Sequence, residues 1–121
     1  NFCRVMVADD QPEFRDWLRS LLDGSEDFRV VGEAGSGEEA IKLIASLLPD
    51  LVIADMYMRE TDGLEVARCV QEHFPETRAI LVSAYAERVY ERLAKEAGAL
   101  AFIPKVSLSL QALRLALQSE V

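Results

Sequence analysis

Histidine, cysteine, basic charge and long apolar runs are all scarce in this chain. His73 is the only histidine among 121 residues, so neither a histidine metal cluster nor a catalytic histidine pair can be assembled. Cys3 and Cys69 are the only cysteines. Two cysteines spell out no disulfide framework and read as reduced, partly buried thiols of a cytosolic protein. No apolar stretch approaches the roughly 20 residues that cross a bilayer. The N-terminal run is too short for a signal peptide and leads straight into an acidic pair. Lys and Arg number 13 against 21 Asp and Glu, a net charge of −8, which speaks against direct binding to DNA or to an anionic membrane. The first residue is Asn1 rather than Met, which suggests an excised or processed piece.

Apolar residues are present in quantity. They make up 50% of the chain, enough for a real core, and the length suits one domain over residues 1–121 with little room for a second. They fall in a repeating order. Phe2 to Ala8 reads as a strand, followed by a helix that Pro12 opens and Asp23-Gly24 ends, with Phe14, Leu18, Leu21 and Leu22 at helical spacing. Phe28 to Gly32, Leu51 to Ala54, Ala79 to Val82 and Leu100 to Ile103 read as four more strands. Between and after them, helical stripes run through Ala40–Leu48, Leu64–Gln71, Val89–Ala97 and Leu110–Leu117, the last continuing to the chain end. Five strand–helix units imply a parallel sheet covered on both faces, an α/β architecture. Right-handed crossovers favour the flavodoxin-like (βα)5 order 2-1-3-4-5.

In such a sheet the carboxyl ends of the strands line the ligand crevice. Asp9-Asp10 follow the first strand, Asp55 the third, Ser83 the fourth and Lys105 the fifth. The order 2-1-3-4-5 makes those four strands neighbours. Clustered carboxylates repel unless a cation neutralises them, and Mg²⁺ prefers hard oxygen ligands from one or two carboxylates plus phosphate oxygens. Asp10 and Asp55 are the expected direct ligands, Asp9 a direct or water-mediated one, and the backbone carbonyl of Tyr57 a further donor. A carboxylate can also attack a phosphoryl group to give an aspartyl-phosphate. Asp55, alone at the end of the central strand, is the expected nucleophile. Lys105 would neutralise the moving charge, and the Ser83 hydroxyl would be drawn to the new phosphate and move its loop.

These residues resemble the receiver domain of bacterial two-component response regulators, over nearly the whole chain. The resemblance implies that a partner histidine kinase phosphorylates Asp55. It also makes Asp9 and Asp10 the acidic metal pair, Ser83 the switch hydroxyl, Lys105 the phosphate-pairing amine and Phe102 the aromatic switch position. The stretch Val31-Gly32-Glu33-Ala34-Gly35-Ser36-Gly37-Glu38-Glu39-Ala40, with Gly98-Ala99, is similar to the branch that carries a C-terminal helix-turn-helix DNA-binding domain. That implies a transcription regulator, or a free-standing relative, working in the cytoplasm. Two positions depart from the family pattern: Arg59 follows Met58 where Pro is common, and Val106 follows Lys105 with Pro104 before it. They bear on phosphorylation rate and lifetime.

Plainer readings stand beside these. Asp9 or Asp10 alone would serve as an N-cap of the first helix, and Ser83 as a cap of the fourth. Phe102 reads as a packed aromatic, Tyr57 and Tyr85 as rim aromatics, Trp17 as packed on the stripe of the first helix, and His73 as a solvated residue favouring a helix C-terminus. Leu108, Ala112 and Leu115 form a second stripe on the last helix, which raises a homodimer through helices one and five or through the face of the fourth and fifth strand–helix units. Gly35-Ser36-Gly37-Glu38-Glu39-Ala40 fits G-x-G-x-x-A, but Glu38 and Glu39 stand where a pyrophosphate would bind. A multiple-turnover phosphatase would need a second acid next to Asp55, where Met56-Tyr57 offers none. A phosphorylation-independent pseudo-receiver, an interaction module only, is the remaining alternative.

Overall fold

Each short apolar run forms a strand because both faces of the sheet it joins are covered. The computed structural model describes residues 1–118. The elements are β1 (Cys3–Ala8), α1 (Pro12–Asp23), β2 (Phe28–Ala34), α2 (Gly37–Leu47), β3 (Leu51–Asp55), α3 (Gly63–His73), β4 (Arg78–Ser83), α4 (Arg88–Glu96), β5 (Ala101–Pro104), a 3-10 turn (Lys105–Ser107) and α5 (Leu110–Gln118). All strand pairs are parallel, in the order β2-β1-β3-β4-β5. This is the flavodoxin-like arrangement expected from the strand–helix alternation.

Side chains alternate across the pleat, so the sheet has two apolar faces. On one, Met6, Ala8, Val52, Ala54, Ala79 and Leu81 meet Ala40 and Ile44 of α2, Val66, Ala67 and Val70 of α3, and Ala94 of α4. On the other, Val5, Val7, Leu51, Ile53, Ile80, Val82 and Ile103 meet Leu18 and Leu22 of α1 and Leu113 of α5. Every residue of the central β3 is buried.

Local chemistry starts the helices. Pro12 occupies the first turn of α1, where its fixed φ suits the helix and its missing N–H is no loss. Ser36 accepts a hydrogen bond from Glu39 N–H at the start of α2, and Asp62 accepts one from Glu65 N–H at the start of α3. Both are side-chain caps for otherwise unpaired amides.

Some expected boundaries move. β2 runs on to Ala34 because its pairing with β1 continues as far as Ala8, with a one-residue shift of register at Val31, between the pairs Val5–Val30 and Met6–Gly32. β3 takes in Asp55, and β5 begins at Ala101 rather than Leu100. Leu48 lies outside α2: it caps the helix in a left-handed conformation, φ 48°, and is exposed. The following Pro49 disfavours a helical Leu48. Leu108 also lies outside α5; it is buried in the preceding connection, while Leu115 is exposed on the helix. The second stripe expected on the last helix therefore dissolves. Its expected course over 119–121 lies outside the described residues.

Candidate functional site

Strand register brings the site together. Ala8 pairs with Ala54, Asp55 with Val82, and Ser83 with Pro104. The residues that close β1, β3, β4 and β5 thus lie at one edge of the sheet, with Lys105 one step beyond β5. The central fact of the site is a bridge: Lys105 Nζ stands 2.7 Å from Asp9 Oδ2 and 2.8 Å from Asp55 Oδ2. Asp9 is fully buried, Asp55 nearly so, and Ser83 is 1% exposed.

The electrostatics follow from that burial. Desolvation pushes the Asp9 carboxyl above its ordinary pKa; the ammonium of Lys105 and the N–H of Gln11 counteract this only in part, and the Asp55 charge adds to the upward push. Burial works against the charge of Lys105, but the two carboxylates outweigh it and hold the amine above the ordinary lysine value. Asp9 Oδ1 accepts from Gln11 N–H at 2.8 Å. Asp9 Oδ2 is in close charge contact with Lys105 yet has no well-directed hydrogen bond. A buried carboxylate oxygen left in that condition suits a hard cation. Among the described residues, no three carboxylate, thiol or imidazole groups converge closely enough to form a ready metal cage. Asp9 and Asp55 meet around the ammonium, while Asp10 is exposed on the loop that follows.

Neighbouring loops fix these groups. Asp55 Oδ1 accepts from Tyr57 N–H at 2.9 Å, which orients the carboxylate plane. Arg15, on α1, donates to the Asp9 carbonyl at 2.6 Å and pairs with Glu33 of β2 at 3.3 Å. Arg19 also pairs with Glu33. The start of α3 lies directly under the site: a Cβ on Gly63 would stand 2.3 Å from the Asp55 carbonyl oxygen. Gly37 is equally constrained, since a Cβ there would meet the Thr61 carbonyl oxygen at 2.0 Å. The G-x-G-x-x-A segment is thus used for close loop packing and for capping, with Glu39 accepting from Gly35 N–H at 2.7 Å.

Several plainer readings are corrected. Neither Asp9 nor Asp10 caps α1, whose N-cap is Gln11 without a side-chain bond. Ser83 does not cap α4, whose N-cap is Glu87; Ser83 Oγ instead accepts from Tyr85 N–H at 3.1 Å inside the β4–α4 loop. Trp17, 46% exposed, packs tilted against Phe14 of the α1 stripe, as expected. Tyr57 and Tyr85 lie exposed at the rim, as expected. Phe102 is half-buried and meets Tyr90 of α4 edge-on at 5.6 Å, and Tyr90 in turn meets Tyr57 at 5.6 Å. This aromatic chain joins the loop after Asp55 to α4 and β5. A hydrogen bond with Tyr57 pushes the Tyr90 hydroxyl up to about 12. Tyr90, Arg15 and Gly63 carried no signal of a role at the site in the sequence, and Phe14 read only as part of an apolar stripe, because each acts through a neighbour that only the fold supplies.

The fold and the edge-clustered acid–amine site define a signalling receiver, and comparison agrees. A sequence model described as the response regulator receiver domain matches residues 5–118. The chain belongs to that family. It is 39% identical over 104 residues to the probable transcriptional regulatory protein NarL of Mycobacterium tuberculosis, covering 86% of this chain and 48% of that protein. It is 37% identical over 108 residues to protein-glutamate methylesterase/protein-glutamine glutaminase 1 of Syntrophus aciditrophicus, covering 88% of this chain and 31% of that protein. The solved signal receiver domain of the putative response regulator NarL from M. tuberculosis superposes with a TM-score of 0.87 at 35% identity, over 96% of this chain and 97% of the other. The chain thus spans under half the length of these curated relatives.

Proposed function

We propose that Asp55 is the phosphoacceptor of a two-component system and that a histidine kinase is the donor. The observation that carries this reading is the Lys105 bridge between Asp9 and Asp55. An Asp55 carboxylate oxygen attacks the phosphorus, the phosphorus–nitrogen bond to the donor imidazole breaks, and its electron pair returns to that nitrogen. Three phosphoryl oxygens must be neutralised as this happens. Lys105 contributes one positive charge at the attacked group. Asp9, Asp10, Asp55 and the Tyr57 carbonyl are the residues that would hold Mg²⁺, which neutralises phosphoryl charge when bound. The donor set is all hard oxygen, and the poorly satisfied Asp9 Oδ2 fits it.

Transfer puts about −1.5 to −2 charges on Asp55. The Ser83 hydroxyl, whose oxygen already accepts from Tyr85 N–H, keeps its proton free to donate to them. Movement of Ser83 draws the β4–α4 loop inward and reshapes the contact of Tyr90 with Phe102. In this reading the domain, residues 1–121, assists its own phosphorylation and dephosphorylation but is not a multiple-turnover enzyme. It works in the cytoplasm and controls transcription through a DNA-binding domain on the same polypeptide. The length of the transcriptional relatives beyond the match supports such an output. A homodimer would use the exposed Trp17 of α1 and Leu115 of α5, or the α4–β5 face.

The test is incubation with a small acyl phosphate and Mg²⁺, followed by intact-mass analysis. The parent is expected to gain one phosphoryl group and Asp55→Asn none. An adduct on Asp55→Asn would assign the chemistry to another residue.

A further inference from the structure

Lys105 has a third neighbour besides the two carboxylates. Its Nζ lies 4.1 Å from the centroid of the Phe14 ring, well inside the range in which a ring face attracts a cation. We propose that Phe14 is a positioning residue for phosphoryl transfer: its ring face forms the third wall of the seat that holds the Lys105 ammonium beside Asp55. The proposal rests on the phosphoacceptor reading of Asp55.

The ring is itself well held. Phe14 sits in the first turn of α1, its N–H donating to the Gln11 carbonyl at 3.1 Å. It packs against the apolar layer beneath α1 and α5, and Trp17 leans on it at 5.8 Å between centroids. A fixed ring is a useful partner for lysine, whose four-carbon stem is otherwise flexible.

The division of labour among the three walls gives Phe14 its importance. Asp9 and Asp55 hold the ammonium by oxygens that also suit a divalent cation. Occupation of those oxygens weakens their grip on Lys105 and adds like charge beside it. The ring attracts the ammonium without offering any oxygen, so nothing competes for it. Lys105 then remains at Asp55 at the moment the phosphoryl charge must be met. An aliphatic side chain of similar bulk would fill the same space but lacks the negative ring face.

Nuclear magnetic resonance tests the contact directly. The chain has three lysines, Lys42, Lys95 and Lys105, so their ε-methylene signals are few enough to assign. A methylene under a ring face is shifted upfield by the ring current. The Lys105 signal is expected upfield of the other two in the parent and in Phe14→Tyr, and to return to their position in Phe14→Leu. Adduct formation from a small acyl phosphate at saturating Mg²⁺ is expected to slow about tenfold in Phe14→Leu and to stay near the parent rate in Phe14→Tyr. Parental kinetics in a folded Phe14→Leu would overturn the proposal, as would an unshifted Lys105 signal in the parent, which needs no variant at all. A parent that gains no phosphoryl group overturns the function proposed above and the kinetic part of this one, while the methylene shift still decides the Phe14–Lys105 contact by itself.

Discussion

At the scale of single residues, the groups that could be read from the sequence are those whose meaning is set by a strand end. Asp9, Asp55, Ser83 and Lys105 each close a buried apolar run, so their meeting follows once the strands are parallel and in order. Gly63 has no such marker. It matters because the start of α3 runs against the Asp55 carbonyl, leaving 2.3 Å for any Cβ. Gly63→Ala is expected to destabilise the domain by about 1–3 kcal/mol, the usual cost of overfilling a packed site. It should also slow adduct formation on Asp55, since relief requires moving the proposed phosphoacceptor. Thermal unfolding and intact-mass time courses check the two effects, and unchanged values in both would show that the backbone there yields freely. Asp10 carries the same strand-end marker as Asp9, but the turn after β1 leaves it exposed while Asp9 is sealed in.

At the scale of elements, strand identity was legible because continuous burial leaves an unbroken apolar run, and the helices were legible from their spacing. Ends were less so. Leu48 looked like one more member of the α2 stripe, but Pro49 turned it out of the helix. Leu108 looked like part of α5 because its burial, which is real, comes from the connection before that helix. The same logic predicts where stability is concentrated. Ile53 is fully buried in the central strand, facing the layer of α1 and α5. Ile53→Ala is expected to cost about 2–5 kcal/mol. Urea unfolding should show a lower midpoint with an unchanged slope. A loss below about 1 kcal/mol would mean that the layer closes over the space.

At the scale of the whole molecule, one long-range tie between distant segments is charged and lies at the surface. Arg114 of α5 grips Asp27, ahead of β2, with donor–acceptor distances of 2.7 and 2.8 Å. This hydrogen-bonded pairing holds the Asp27 carboxyl down to about 2. A depressed carboxyl stabilises the fold above its unfolded pKa, roughly 4, and the benefit fades as pH falls through the folded value. Asp27→Asn is therefore expected to unfold at a lower temperature than the parent at pH 7, with the gap closing between about pH 4 and 2. Added salt should narrow the gap at neutral pH, because both side chains are solvent-exposed. A gap that ignores pH would assign the effect to something other than this pair.

The fastening of α4 is the opposite of this tie. Ala94 is its one fully buried residue, no side chain caps its start, and Tyr90 and Leu93 lie only partly buried against the core. Little work is needed to tilt a helix secured so lightly. In the proposed switch, a phosphoryl group arriving under the neighbouring loop would swing α4 like a weather vane while the mast of buried β-structure stays still.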